Sequence, residues 1–178
     1  MRSPELTSAE QAALAGLEAR LGRVHVRQRL GLEHDYESHI FRRGTHFFHI
    51  ENWYSVHALI RWSLRLAGLH GRGRRNALDL RVREHEGAIA NLPAAFDGYR
   101  LLQLSDLHVD LTPEFVPALT EAVRGVDYDL CVLTGDYRAR TFGPFAATLD
   151  GLRRLRTHLN GEVYSVLGNH DTIRLVPG

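Results

Sequence analysis

The chain has 178 residues, 44% of them hydrophobic and 24% charged, with a formal net charge of +1. This composition is typical of a soluble globular protein with a substantial core, and the near-zero net charge favours no nucleic acid or other charged partner. The single cysteine, Cys131, excludes an internal disulfide, and the apolar run around it indicates a core thiol. Neither a signal peptide nor an apolar run of the ~20 residues that a membrane span needs is visible, so we expect a cytoplasmic protein.

The N-terminal region is expected to be mostly helical. Thr7 and Glu10 form a capping box before an apolar-rich segment that should end at Gly22. Residues 23–50 contain five histidines among arginines and aromatic residues, at positions His25, His34, His39, His46 and His49. Their spacing fits no closed zinc pattern, so ordinary surface or core histidines are favoured over a metal cluster.

Residues 51–75 predict an amphipathic helix, over 51–69, followed by an arginine-rich segment. The helix carries Trp53 and Trp62, and Arg74 and Arg75 follow it. Tryptophan beside arginine on such a helix is typical of an interfacial membrane anchor. Packing of this helix on the rest of the chain or on a partner subunit is the alternative, and it is slightly favoured over the membrane.

Residues 77–83 alternate apolar and charged side chains, which predicts a half-buried strand at a sheet edge. We therefore divide the chain into a helical region over residues 1–76, which docks on a membrane or a partner, and a second domain over residues 77–178.

Three short apolar runs follow, over residues 101–105, 129–134 and 162–167, and each ends in polar residues. Helical patterns lie between them, one capped by Thr112 and one running from Pro144 to about Leu159. Strands that alternate with helices predict a parallel βαβαβ core of the α/β class.

Chemistry-bearing side chains stand where the three strands end. Asp106 and His108 follow the first strand, Asp136 the second, and Asn169 and His170 the third. Since ligands bind beyond the carboxyl ends of parallel strands, these residues should converge at one edge. Oxygen and nitrogen donors of this kind suit manganese, iron or zinc.

The motifs Asp106-Leu-His108, Gly135-Asp136 and Gly168-Asn169-His170-Asp171 resemble those of the calcineurin-like metallophosphoesterases. The resemblance covers roughly residues 92–178. It implies the first part of an α/β/β/α sandwich, in which a metal-bridged hydroxide hydrolyses a phosphodiester or pyrophosphate. It also implies two divalent metal ions, with manganese expected first and iron, zinc or magnesium as alternatives.

The resemblance also implies roles for single residues. Asp106 and His108 would hold one ion, Asp136 would bridge both, and Asn169 would bind the second. His170 would assist at the leaving-group oxygen. Asp171 would orient the His170 ring.

Arg138 follows the bridging carboxylate where the family usually has Asp or Asn nearby. It could contact a substrate phosphate, although a surface role is at least as well supported.

The lead-in from Leu92-Pro93 to Phe96-Asp97-Gly98-Tyr99 resembles a bacterial subgroup of the family. That subgroup includes membrane-associated phosphodiesterases and enzymes that cleave UDP-diacylglucosamine. It implies a phosphate-ester or nucleotide-diphospho-lipid substrate and peripheral contact with the inner membrane.

The family also uses further histidines, including a Gly-His-x-His motif, downstream of the residues matched here. The chain ends at Gly178, so we expect a C-terminally truncated enzyme that is inactive as it stands. The alternative is a non-catalytic remnant that binds a membrane or a partner through residues 51–75.

Overall fold

A computed structural model describes residues 8–42 and 54–177 of the chain. Four helices precede a segment in which three strands alternate with two helices. In chain order the elements are α1 (Ser8–Leu21), α2 (Arg23–Arg42), α3 (Tyr54–Leu66), α4 (His70–Leu78), β1 (Leu101–Leu104), α5 (Phe115–Val123), β2 (Leu130–Leu133), α6 (Ala146–Arg156) and β3 (Glu162–Ser165). The predicted α/β class, with a parallel βαβαβ core after a helical N-terminal region, is confirmed.

The three strands form one parallel sheet in the order β1-β2-β3. Its register places Leu102 beside Cys131, and Cys131 beside Val163. Residues in register point to the same face, so this row and the row of Leu104 and Leu133 face α5 and α6.

The main core lies between this face of the sheet and the two helices. Cys131 and Leu155 of α6 are both fully buried, and Val116 and Leu119 of α5 pack in the same cluster. The predicted core thiol is therefore confirmed, and burial raises the pKa of Cys131.

The other face of the sheet is open to solvent. Leu101 and Tyr164 are each 60% exposed, whereas Leu102, one position along β1, is 7% exposed. Parallel sheets usually have both faces covered, so the exposure of this face is unusual.

The α1–α2 helix pair has a small core of its own. Leu17 of α1 and Val26 of α2 pack against Ile173, which follows the last strand. Gly22 adopts a φ of +84° between the helices, so the predicted end of the first helix is confirmed. Residues 23–42 belong to the region expected to be mostly helical, although no separate helix is predicted there; they form one continuous helix, and His25 and His34 are exposed on it.

Two local predictions are wrong. The expected strand over residues 77–83 is absent, because α4 runs to Leu78 and the residues from 79 to 90 are irregular and mostly exposed. An edge strand needs a neighbour to pair with, and the described sheet contains only β1, β2 and β3. The predicted cap at Thr112 also fails, because its hydroxyl donates to the carboxylate of Glu114, which is the N-cap residue of α5.

Some predicted features lie outside the described residues, namely Thr7, His46, His49 and Trp53. The predicted helix over 51–69 is described from Tyr54 to Leu66. In the part of the chain that the structure describes, no helix is both long and apolar enough to span a bilayer.

Candidate metal centre

The loops that follow β1 and β2 run side by side at the carboxyl edge of the sheet. The backbone N–H of Asp106 donates to the carbonyl of Gly135 over 3.2 Å, and that of His108 donates to the carbonyl of Asp136 over 3.0 Å. These bonds continue the pairing of β1 with β2 beyond the last sheet residues. The loops that carry the first two motifs are thereby brought together at this edge.

Three of the predicted metal ligands have left-handed backbone conformations. The φ angles are +54° at Asp106, +40° at His108 and +56° at Asp136. Among the described residues only one other non-glycine residue, Asn91, has a positive φ. Such a conformation costs about 1–2 kcal/mol per residue and tends to concentrate at functional sites.

The loops after β2 and β3 are in direct backbone contact. A Cβ atom built on Gly168 would lie 2.2 Å from Asp136 Oδ1 and 2.4 Å from Asp136 N, and one built on Gly135 would lie 2.4 Å from Gly168 N. Only glycine can occupy these two positions without displacing backbone. His170 then donates its backbone N–H to Asp136 Oδ1 over 2.9 Å, so all three loops meet at Asp136.

The ring of His108 is held in a defined orientation. Its Nδ1 donates to the backbone carbonyl of Arg138, which leaves Nε2 as the acceptor nitrogen that can bind a metal. The ring also contacts that of His170 edge to face, with centroids 5.2 Å apart. The two histidines that the sequence places on different strands are therefore neighbours.

Asp171 is buried, and its carboxylate accepts backbone hydrogen bonds from the loop after β2 and from its own loop. Oδ1 accepts from the N–H groups of Tyr137 at 2.9 Å and Arg138 at 3.2 Å, and Oδ2 accepts from Gly168 at 2.9 Å. His170 Nδ1 is buried and has no hydrogen-bond partner among the described residues. The contacts show Asp171 holding the loops together, and its predicted role in orienting the His170 ring stays a prediction.

Arg138 is buried rather than on the surface, with 2% of its area exposed. It donates from Nη2 to the carbonyl of Gly143 over 2.9 Å. Burial lowers the pKa of the guanidinium, and the carboxylates of Asp110 and Asp171 are the first of the nearby charges that oppose this shift. The predicted contact of Arg138 with a substrate phosphate remains a prediction.

Tyr137 links the ends of β2 and β3 from inside the core. Its hydroxyl lies 3.0 Å from the carbonyl oxygen of Leu133 and 2.7 Å from that of Val166. Burial, together with the charge of Asp171, raises the pKa of Tyr137 to about 12. The phenol therefore stays protonated and able to donate at any physiological pH.

Asp110 supports the site but received no role from the sequence. Its Oδ1 accepts the backbone N–H of Ala139 over 2.7 Å, which ties the first loop to the residues after Asp136. The signal was present in the sequence, since Asp110 continues the two-residue spacing of Asp106 and His108.

The donors at this edge fit a divalent metal ion in their chemistry. Carboxylates, imidazoles and one amide are carried by loops whose contact leaves no room for a Cβ at Gly168. No group of three or more His, Cys, Asp and Glu side chains is placed to hold an ion among the described residues. The loops are thus brought together, whereas their side chains as they stand form no closed set of ligands.

A parallel sheet with such donors beyond its strand ends defines a candidate metal-dependent hydrolase. Residues 99–177, a little under half of the chain, match the family model described as calcineurin-like phosphoesterase. The match supports assigning this segment to the metallophosphoesterases, which generally bind two divalent metal ions and hydrolyse phosphoester bonds. A search of curated proteins and a search of solved structures found no match.

The match begins at residue 99 and says nothing of the region before it. The predicted domain boundary between residues 76 and 77 therefore stays a prediction, as does the expected truncation.

Proposed function

We propose that the complete gene product hydrolyses a phosphodiester or pyrophosphate with two divalent metal ions, manganese being preferred. The observation that carries this proposal is the left-handed backbone at Asp106, His108 and Asp136, three residues of the matched motifs. Strain at three neighbouring positions persists only where surrounding contacts enforce it, and the backbone bonds between the first two loops do so.

Each residue has a part in this proposal. Asp106 and His108 would hold one ion, Asn169 the other, and Asp136 both, with further ligands completing the set. When bound, the ions would neutralise the phosphate oxygens and lower the pKa of a water molecule. His170, next to His108 in the structure, would donate a hydrogen bond or a proton towards the leaving oxygen.

Asp136→Asn tests the proposal. The asparagine keeps the Oδ1 acceptor for the N–H of His170 and removes only the negative charge. We expect turnover of a generic phosphodiester with manganese to fall at least about 100-fold, the scale on which loss of one electrostatic contact to the transition state acts. A chelator should abolish turnover and added manganese should restore it.

Asp129→Asn is the matched control. Asp129 lies at the other end of β2, and its carboxylate also accepts a backbone N–H, that of Arg100 at 2.8 Å. This variant should lose a similar amount of stability and keep its activity. Turnover that survives both Asp136→Asn and the chelator would refute the proposal.

For the substrate, we propose a nucleotide-diphospho-lipid before other phosphate esters. The motif over residues 92–99, which suggests this class, lies just before β1. Its Phe96 and Tyr99 are exposed, and their rings are in edge-to-face contact with centroids 5.7 Å apart. A direct comparison of a pyrophosphate-linked lipid with a water-soluble phosphodiester tests it. A higher kcat/KM for the soluble ester would reject the lipid class.

We also propose that α3 binds the surface of an anionic bilayer. Leu59, Trp62 and Leu66 recur at three- and four-residue spacing, so they lie on one face of the helix. Their exposed fractions are 68%, 63% and 79%, respectively. The next helix along the chain, α4, carries further arginines, including the exposed Arg75. These arginines could bind lipid phosphates.

Co-sedimentation with anionic vesicles tests this second proposal. Trp62→Ala should weaken binding by about tenfold, because one large apolar side chain no longer enters the interface. Leu32→Ala is the control, since Leu32 is 67% exposed on α2 and outside the proposed surface. Equal vesicle binding by the wild type and Trp62→Ala would exclude α3 as the anchor.

A further inference from the structure

The helix α2 contacts the segment that follows the third motif. Both carboxylate oxygens of Glu33 are used there: Oε1 accepts the backbone N–H of Ile173 over 3.0 Å, and Oε2 accepts the hydroxyl of Thr172 over 2.6 Å. Thr172 and Ile173 are 139 and 140 residues away from Glu33 in the sequence. One carboxylate thus fixes both the backbone and a side chain immediately after Asp171.

Arg29, one helical turn before Glu33, adds a second contact. Its Nε donates to Glu33 Oε1 over 2.9 Å, and its Nη2 donates to the backbone carbonyl of Asp171 over 3.1 Å. Glu33 and Arg29 therefore hold three consecutive residues, 171 to 173. Side-chain exposures of 20% for Glu33 and 36% for Arg29 leave this pair only partly screened by water.

Apolar packing fixes the same segment. Ile173 is 1% exposed and packs between Leu17 of α1 and Val26 of α2. Thr172 also accepts the N–H of Arg174 over 3.3 Å at the start of a short 3-10 helix. The end of the third loop is consequently anchored to the N-terminal helices as well as to the sheet.

The contacts continue from this anchor to the proposed ligands. Asp171, held by Arg29 through its carbonyl, holds Gly168 through its carboxylate. Between those two residues lie Asn169 and His170, and the N–H of His170 is bonded to Asp136. An uninterrupted series of hydrogen bonds therefore joins α2 to the metal-binding loops.

We infer that Glu33 is a positioning residue for the loop formed by residues 168–172. It keeps Asn169 and His170 beside Asp136 although it touches neither of them. The inference rests on the proposed function for its consequence in catalysis, and on the contacts above for its structural part. The helical region before residue 99 is then a component of the active site's support.

Amide hydrogen exchange of the wild type and Glu33→Ala tests the structural part without activity. The informative amides are those of Gly168 and His170, which bond to Asp171 and Asp136 and not to Glu33. We expect both to exchange about tenfold faster in Glu33→Ala, the effect of losing one hydrogen bond to a charged group. The amide of Thr134, bonded to Leu104 within the sheet, should keep its rate.

Two further variants make the comparison specific. Glu18→Ala removes a carboxylate that pairs with Arg27 at 3.0 Å in the same helix pair, and it should leave Gly168 and His170 unchanged. Glu33→Gln keeps an acceptor oxygen for Ile173 and should recover most of the protection. If Glu33→Ala fails to fold, Glu33→Gln carries the test, with an acceleration of a few-fold expected at the same two amides.

The catalytic consequence is measured separately. Glu33→Ala should lower kcat about tenfold with little change in KM, and Glu33→Gln should restore most of it. Unchanged exchange at Gly168 and His170, or equal acceleration at Thr134, would overturn the inference. Inactivity of the complete wild-type gene product with manganese would overturn the proposed function and leave the exchange result to decide the role of Glu33.

Discussion

The three strands present two very different surfaces, their carboxyl edge and their outer face. At the edge, loops are packed so closely that a Cβ on Gly168 would lie 2.2 Å from Asp136 Oδ1. On the outer face, Leu101 and Tyr164 are each 60% exposed. The difference indicates that backbone contacts between the loops hold the candidate site together. These contacts do not require that the outer face of the sheet be covered.

The edge is also where long-range contacts concentrate. Asp171 bonds to the loop after β2, and α2 bonds to the segment after β3. On the outer face, Gln103 and Val132 lie in register beside Tyr164, and the Gln103 side chain donates to the hydroxyl of Thr134 over 3.4 Å. Substitutions should therefore act strongly at the edge and weakly on the outer face.

Gly168→Ala should have the largest effect. The added methyl group meets the backbone N of Asp136 at 2.4 Å, and backbone cannot rotate away as a side chain can. We expect a loss of about 3 kcal/mol in the free energy of unfolding and at least about 100-fold in turnover, since the loops must separate. Chemical denaturation and a phosphodiester assay measure the two effects.

Gly16→Ala is the control for that substitution. Gly16 lies inside α1, and its Cβ would meet nothing within 4 Å. Alanine should stabilise the helix by about 0.5–1 kcal/mol. Tolerance of alanine at Gly168 would mean that the edge is looser than its contacts indicate.

A pair of substitutions in β1 compares the two faces directly. Leu102→Ala should cost about 2–3 kcal/mol, because it leaves a cavity beside Cys131 in the core. Leu101→Ala, one residue earlier and 60% exposed, should cost no more than about 0.5 kcal/mol. Urea denaturation of both variants gives the difference, and equal losses would show that the outer face is covered in solution.

Tyr137→Phe should have the smallest effect at the edge. It removes the hydroxyl that reaches the carbonyls of Leu133 and Val166, at an expected cost of about 1–2 kcal/mol near neutral pH. Because the folded-state pKa is raised to about 12, the wild type keeps this contribution below pH 10 and loses it as the pH rises through 12. Unfolding free energies should converge for the two proteins in that alkaline window, and a constant gap would contradict the assignment.

The sequence predicts the sheet and its loops well because their signals are local. Each strand is a short apolar run that ends in a polar motif, and the observed strands start within one residue of the predicted runs. Parallel topology then places Asp106, Asp136 and His170 at one edge without further information. The buried Cys131 follows from the same apolar run.

The parts that the sequence does not predict depend on distant residues. Residues 23–42 form a helix whose polar side chains, Glu33 among them, find partners more than 130 residues away. No local pattern identifies such partners. The strand predicted over 77–83 is absent because an alternating pattern forms a strand only where a sheet edge is near enough to pair with it.

The left-handed residues also have a consequence for the choice between stability and activity. Glycine at position 106 would relieve a positive φ angle, at an estimated gain of about 1 kcal/mol, and remove a metal donor. Glycine at position 108 or 136 would also remove the hydrogen bond to Arg138 or the one from His170, so we expect no net gain there. A library of variants selected only for resistance to heat should therefore accumulate glycine at position 106, whereas selection for turnover should restore Asp, so that the two selections diverge first at the loop after β1.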